Sequence, residues 1–140
     1  MIRVLIADDH QLMRQGLRAL LEKANDIEVV GEARDGQEAI EQVERVSPDV
    51  ILMDIAMPIL DGLRATERIN AHQNNARVLI LSMYSDETLV RQALKNGAKG
   101  YLIKNGSREQ LISAIRQVHG GGSFYSPGVS GLINGDSPNQ

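Results

Sequence analysis

The chain has 140 residues, a formal net charge of -3, 42% hydrophobic and 24% charged residues, and no cysteine. A chain of this length buries roughly two-thirds of its unfolded surface, so one core can form without disulfide or zinc staples, and cysteine catalysis and thiolate metal sites are excluded. With only Tyr84, Tyr101, Phe124 and Tyr125 as aromatics in a weakly acidic chain, it carries neither the basic footprint nor the stacking platform of a nucleic-acid binder.

The first apolar run, Ile2 to Ala7, stops at Asp8 and Asp9. It reads as a strand. It is too short for a signal-peptide core or a membrane span, which points to a cytoplasmic protein with no membrane partner. Met13, Leu17, Leu20, Leu21 and Ala24 then recur three and four apart, as one face of a helix does. A second strand is Ile27-Glu28-Val29-Val30, ending at Gly31. Asp35 can cap a second helix whose inner face is Ala39, Ile40, Val43 and Val46. Val50-Ile51-Leu52-Met53 is a third strand, followed by Asp54 and by a less sharply apolar helix over about 61–72. Val78-Leu79-Ile80-Leu81 is a fourth strand, followed by Ser82. Ser85, Asp86 and Glu87 open a fourth helix bearing Leu89, Val90, Ala93 and Leu94, and Gly97 stops it. The short run Tyr101-Leu102-Ile103 precedes Lys104, and Ser107 with Gln110 forms a capping box for a fifth helix bearing Leu111, Ile112, Ile115 and Val118. Gly120 supplies its stop.

Continuously apolar strands are those buried on both faces, and their alternation with helices through short connections implies right-handed crossovers. The predicted fold is α/β: a doubly wound five-stranded parallel sheet with about five helices, occupying residues 1–119. Residues 120–140 differ, because 14 of those 21 residues are Gly, Ser, Pro or Asn, which is linker or tail chemistry. Within them Phe124, Tyr125, Val129, Leu132 and Ile133 have the character to dock on the domain or to begin a short helix.

Asp8, Asp9, Asp54, Ser82 and Lys104 all follow strands, so all project from the carboxyl edge, where open α/β sheets bind ligands. Taken singly, each is ordinary turn, cap or surface chemistry. Their convergence is what favours a site. The simplest order that gathers them is 2-1-3-4-5, the flavodoxin-like order, with the first and third strands about 4.8 Å apart. Three carboxylates in so small a space repel one another unless a cation compensates, and Mg2+, which takes a few carboxylate oxygens and keeps several waters, suits the set. Lys104, two strands and about 10 Å from the third strand, can swing its charge inward. A carboxylate beside Mg2+, an ammonium and a hydroxyl suit phosphoryl transfer to Asp54. His10, His72 and His119 lack ligand spacing and are expected at the surface, and Met53, Met57 and Met83 in packing.

These residues resemble the receiver domains of two-component response regulators. The resemblance covers Ile2 to about His119 and includes Asp8-Asp9, the string from Met53 through Asp54 and Met57-Pro58 to Asp61-Gly62, Ser82, and Gly100-Tyr101-Leu102-Ile103-Lys104. Ile6-Ala7-Asp8-Asp9-His10, Leu81-Ser82-Met83-Tyr84-Ser85-Asp86 and Gly97-Ala98-Lys99-Gly100-Tyr101 are similar to the NarL/FixJ branch, whose members carry a C-terminal LuxR-type helix-turn-helix. Phe124-Tyr125-Ser126-Pro127 resembles the linker preceding that output domain, which lies outside these 140 residues.

The resemblance implies a switch. A sensor histidine kinase would phosphorylate Asp54, with Asp8, Asp9, Asp54 and the backbone carbonyl of Ala56 holding Mg2+, and Ser82 and Lys104 meeting the phosphoryl group. Tyr101 would change rotamer, a homodimer would form on phosphorylation, and DNA would be met only through the output domain. Such a chain is a phosphoacceptor assisting its own chemistry, not an enzyme acting on a separate substrate. Departures are Ser82 for the commoner threonine, Asn105 where many receivers have proline, so that a cis bond there would be a costly one, and the apolar Ile59-Leu60. Ala56 and Tyr84, each two residues past a site residue, cannot readily position an attacking water, which predicts slow self-dephosphorylation. Two rival readings stay open: a Mg2+-dependent phosphohydrolase with Asp54 as nucleophile, and an interaction module that is never phosphorylated. The chain has neither a Gly-x-x-x-x-Gly-Lys-Ser/Thr loop nor a Gly-x-Gly-x-x-Gly fingerprint.

Overall fold

Along the chain β1 (Ile2–Ala7), α1 (Gln11–Leu21), β2 (Ile27–Ala33), α2 (Gly36–Val46), β3 (Val50–Met53) and α3 (Gly62–Ala71) are followed by β4 (Arg77–Ser82), α4 (Glu87–Lys95), β5 (Gly100–Ile103), α5 (Arg108–His119), β6 (Phe124–Tyr125) and α6 (Pro127–Asn134). The computed structural model describes residues 1–72 and 75–134. Its strands form one parallel sheet in the order β2-β1-β3-β4-β5-β6. The first five strands thus take the order expected, and a sixth strand and sixth helix are added.

The apolar runs are continuous because both faces of the sheet are covered, and successive residues alternate between two cores. Leu5, Ala7, Ile51, Met53, Val78 and Ile80 pack with Ala39 and Val43 of α2, Ala65 and Ile69 of α3, and Val90 and Ala93 of α4. Val4, Ile6, Val50, Leu52, Leu79 and Leu81 pack on the other face with Leu17 and Leu21 of α1 and Leu111, Ile115 and Val118 of α5. β2, at the sheet edge, runs past Gly31 to Ala33, with its register against β1 shifting between Val4 and Leu5.

The caps match the residue chemistry. The Asp35 and Ser107 side chains accept from the amides of Glu38 and Gln110, and Asp61 caps α3 by accepting from that of Arg64. Asp86 sits at the N-cap of α4 without a side-chain bond, leaving Glu87 in the first turn to face the helix dipole. Gly97, with φ of 105°, turns the chain out of α4 in a conformation that side chains disfavour. The peptides of the described residues, Lys104 to Asn105 among them, are all trans.

Part of the glycine- and serine-rich segment is ordered against the domain. Phe124 and Tyr125 pair with Gly100 and Tyr101, the Ser126 amide donates to the Tyr101 carbonyl at 3.1 Å, and the Ile103 amide donates to Ser126 Oγ at 2.9 Å. The absence of a side chain at Gly100 admits this strand, because a Cβ there would lie 2.6 Å from the Phe124 carbonyl oxygen. Val129 of α6 is fully buried in the α4 core, with Tyr125 and Leu132 against it. The Ile133 side chain and residues 135–140 lie outside the described residues. Among those described, no helix is long and apolar enough to cross a membrane.

Candidate functional site

The register of the central strands brings the acids together. Val4 to Ala7 pair with Val50 to Met53, and the Asp54 amide donates to the Ala7 carbonyl at 2.9 Å, so Asp8 and Asp54 leave the sheet side by side. Both are buried, at 2% and 6% exposure. Asp9, one residue along, is exposed at the rim. The loop after Asp54 folds back beneath it, with the Gly62 amide donating to the Ile55 carbonyl at 2.9 Å; a Cβ on Gly62 would strike the Asp54 carbonyl. Ala56 lies exposed in that loop.

Lys104 reaches in from β5. Its amide donates to the Ser82 carbonyl at 2.8 Å, and its side chain, 7% exposed, brings Nζ 2.9 Å from Asp8 Oδ2 and 3.5 Å from Asp54 Oδ1. One positive charge therefore serves two buried negative ones. Burial, reinforced by the charge on Asp8, pushes the Asp54 carboxyl above its ordinary value; attraction and hydrogen bonding from Lys104 oppose the shift without cancelling it.

The carboxylates of Asp8, Asp9 and Asp54 and the ring of His10 present ligand atoms within 4.8 Å of one another. Such a set, dominated by hard oxygen donors, has the chemistry to hold a divalent cation. His10 is exposed, as expected, but it is not incidental. Its Nδ1 lies 3.1 Å from Asp8 Oδ1 and 3.0 Å from Asp9 Oδ1, and its amide donates to Asp8 Oδ1 at 2.8 Å. The legible signal was its place directly after the acidic pair.

Ser82 and Tyr101 meet through Tyr84. The Tyr84 amide donates to Ser82 Oγ at 3.0 Å, and the Tyr101 hydroxyl donates to the Tyr84 carbonyl at 2.6 Å. Tyr101 is wholly buried; burial first, then the Asp86 and Asp54 charges, raise its hydroxyl pKa against a hydrogen bond involving Ser82. The Tyr84 side chain itself is exposed. Arg14, which the sequence reading passed over, donates from Nη1 to the Asp8 carbonyl at 2.7 Å. Beside Lys104 an apolar groove of about 720 Å³ runs between α1 and α5, lined by Leu12, Met13, Leu17, Leu102 and Leu111 and by Met83, which is exposed there and not packed as expected.

Comparison with known proteins finds matches over most of the chain. Residues 4–116 match the response regulator receiver domain family. The chain is 43% identical over 135 residues to the oxygen regulatory protein NreC of Staphylococcus carnosus, covering 95% of this chain and 62% of that protein. A two-component response regulator of the LuxR family from Aurantimonas superposes with a TM-score of 0.90 at 32% identity, covering 96% of each chain. The isolated receiver domain of RcsB from Salmonella enterica, solved with the phosphomimetic BeF3-, superposes with a TM-score of 0.84 at 28% identity, covering 94% of this chain and 97% of that one. The chain spans between 55% and 62% of the length of the curated relatives it matches.

Proposed function

Because the chain belongs to the response regulator receiver family, we propose that it is a phosphorylation-controlled switch whose phosphoacceptor is Asp54 and whose donor is the phosphohistidine of a sensor histidine kinase. The observation that carries this reading is the buried Asp54 carboxylate facing Lys104 Nζ at 3.5 Å, with Asp8 sharing the same ammonium. A carboxylate oxygen of Asp54 attacks phosphorus, and the phosphorus–nitrogen bond breaks with its electron pair going to the kinase ring, which departs as neutral imidazole because its other nitrogen already carries a proton. Lys104 neutralises charge on the phosphoryl oxygens, and the Ser82 hydroxyl donates to one of them. Ser82 is tied through the Tyr84 backbone to Tyr101, so its movement toward the phosphate is felt by Tyr101 and α4.

The donor set fits Mg2+. Asp8, Asp9, Asp54 and the Ala56 carbonyl would hold it, and it supplies charge neutralisation and in-line orientation. The groove beside Lys104 suits an apolar helix of the kinase, which would set the phosphohistidine at the pocket mouth. Output follows in the cytoplasm through a helix-turn-helix domain beyond residues 120–140, with dimerisation on phosphorylation and DNA contacted only by that domain.

The test is intact mass after incubation with Mg2+ and acetyl phosphate. One added phosphoryl group, absent in Asp54→Asn, is the expected result. Many turnovers of the donor per chain would mean a hydrolase, and an unchanged mass a module that is not phosphorylated.

A further inference from the structure

Consecutive residues of an extended strand point to opposite faces of the sheet. Asp8 and Asp9 are consecutive residues just past the end of β1, where a continued strand would part them, yet both must turn toward one cation for the acidic cluster to work as a single site. What decides their convergence is the peptide plane that joins them, and its carbonyl is the Asp8 oxygen. That oxygen accepts from Arg14 Nη1 at 2.7 Å.

The guanidinium is itself held. Arg14 is 9% exposed, and its Nε donates to Glu32 Oε1 at 2.9 Å, while Glu32 Oε2 accepts from Arg18 Nε at 2.8 Å. Glu32 lies on β2 opposite Ile6 of β1. The peptide before Asp8 is fixed separately, its amide donating to the Ala33 carbonyl at 3.0 Å. The sheet ladder thus sets the entry to Asp8, and Arg14, braced on β2, sets the exit. The planar fork meets both partners from fixed donors on two edges, Nη1 on the Asp8 carbonyl and Nε on Glu32, a geometry that the point charge of a lysine does not preset.

We propose that Arg14 is a positioning residue for the metal site, orienting the Asp8–Asp9 peptide so that the two carboxylates converge on one divalent cation. The proposal rests on the reading of the acidic cluster as a Mg2+ site.

It is tested by calorimetric titration of Mg2+ into the full chain and its variants, each at a temperature where circular dichroism shows it folded. Arg14→Gln is expected to weaken Mg2+ binding about tenfold, as losses of outer partners of metal ligands do, with Arg14→Lys falling between it and the parent. Arg18→Gln, which touches Glu32 but not the Asp8 carbonyl, should leave the affinity unchanged. The Asp9 amide, part of the same peptide plane, should shift in the NMR spectrum of Arg14→Lys and stay in place in Arg18→Gln. If the parent binds Mg2+ and the folded Arg14 variants bind it equally well, the arginine is only a structural brace and the proposal fails alone. If the parent binds no Mg2+, the proposal and the reading beneath it fail together. Should Arg14→Gln not fold, Arg14→Lys decides.

Discussion

With Lys104 Nζ 2.9 Å from Asp8 and 3.5 Å from Asp54, one ammonium compensates two carboxylates that have almost no access to water. Breaking a buried ion pair from one side costs far more than the pair contributes, because the surviving charges stay desolvated. Lys104→Met should therefore lower stability by about 3 kcal/mol in urea melts without divalent cations. Adding Asp54→Asn should recover part of that loss by removing one of the orphaned charges. A double variant no more stable than Lys104→Met would show that Asp54 does not depend on this lysine. In the proposed phosphorylated state, Ala56 offers no polar side chain and Tyr84 only a phenol, so neither orients an attacking water as a carboxylate or amide would. Ala56→Asn or Tyr84→Glu should accelerate phosphate loss from Asp54 several-fold; equal decay rates in parent and both variants would remove these positions from the account.

At the scale of elements, β6 and α6 lie against β5 and α4, the side of the sheet next to Tyr101. They are attached by the pairing of Phe124 and Tyr125 with β5, by the amide and the hydroxyl of Ser126, and by apolar packing in which Val129 is the fully buried side chain. Val129→Asp would place an unpaired charge in the core that Val129 shares with Val90, Ala93 and Tyr101, so the short elements should detach before the domain unfolds. Hydrogen exchange reads this directly: the Ile103 and Ser126 amides should lose protection about tenfold or more while those of β1 and β3 keep theirs. Unchanged protection at Ile103 would mean the segment is held by something other than Val129. The first five strands and five helices were legible because most carry their own period, apolar throughout for the central strands and three-and-four spaced for the helices. β6 was not legible as a strand, since two residues have no period; it exists because Gly100 leaves room for it and Ser126 completes the backbone bonding. The stretch of β2 beyond Gly31 was hidden for a related reason, since Gly31 and Glu32 break the apolar run although their backbones continue the pairing with Leu5 and Ile6. In the site, the strand-end rule reached the acids, Ser82 and Lys104. It could not reach Arg14, whose part is played through a backbone carbonyl and leaves no mark on the pattern of residue types.

Across the whole molecule, the two cores hold the sheet rigid while the carboxyl edge gathers like charges that oppose one another. Asp54 is the clearest case, its carboxyl displaced upward by burial and by Asp8 in spite of Lys104. The fold without a cation thus stores an electrostatic cost at one edge and is stable because the cores outweigh it. A ligand that binds only the folded chain shifts the unfolding equilibrium of the entire domain, and a divalent cation does so while relieving that cost. At a free Mg2+ concentration ten times its Kd, the gain is about 1.4 kcal/mol, which corresponds to roughly 4 °C in Tm for a domain of this size. Asp54→Asn should differ from the parent on both counts, melting higher without Mg2+, because a cost has been removed, and gaining less from Mg2+, because a proposed ligand has been lost. Chelator should return the parent to its lower Tm and leave Asp54→Asn nearly unmoved. A parent chain whose Tm is the same in Mg2+ and in chelator, at concentrations that saturate binding in calorimetry, would show that the cation does not act through the charges gathered at this edge.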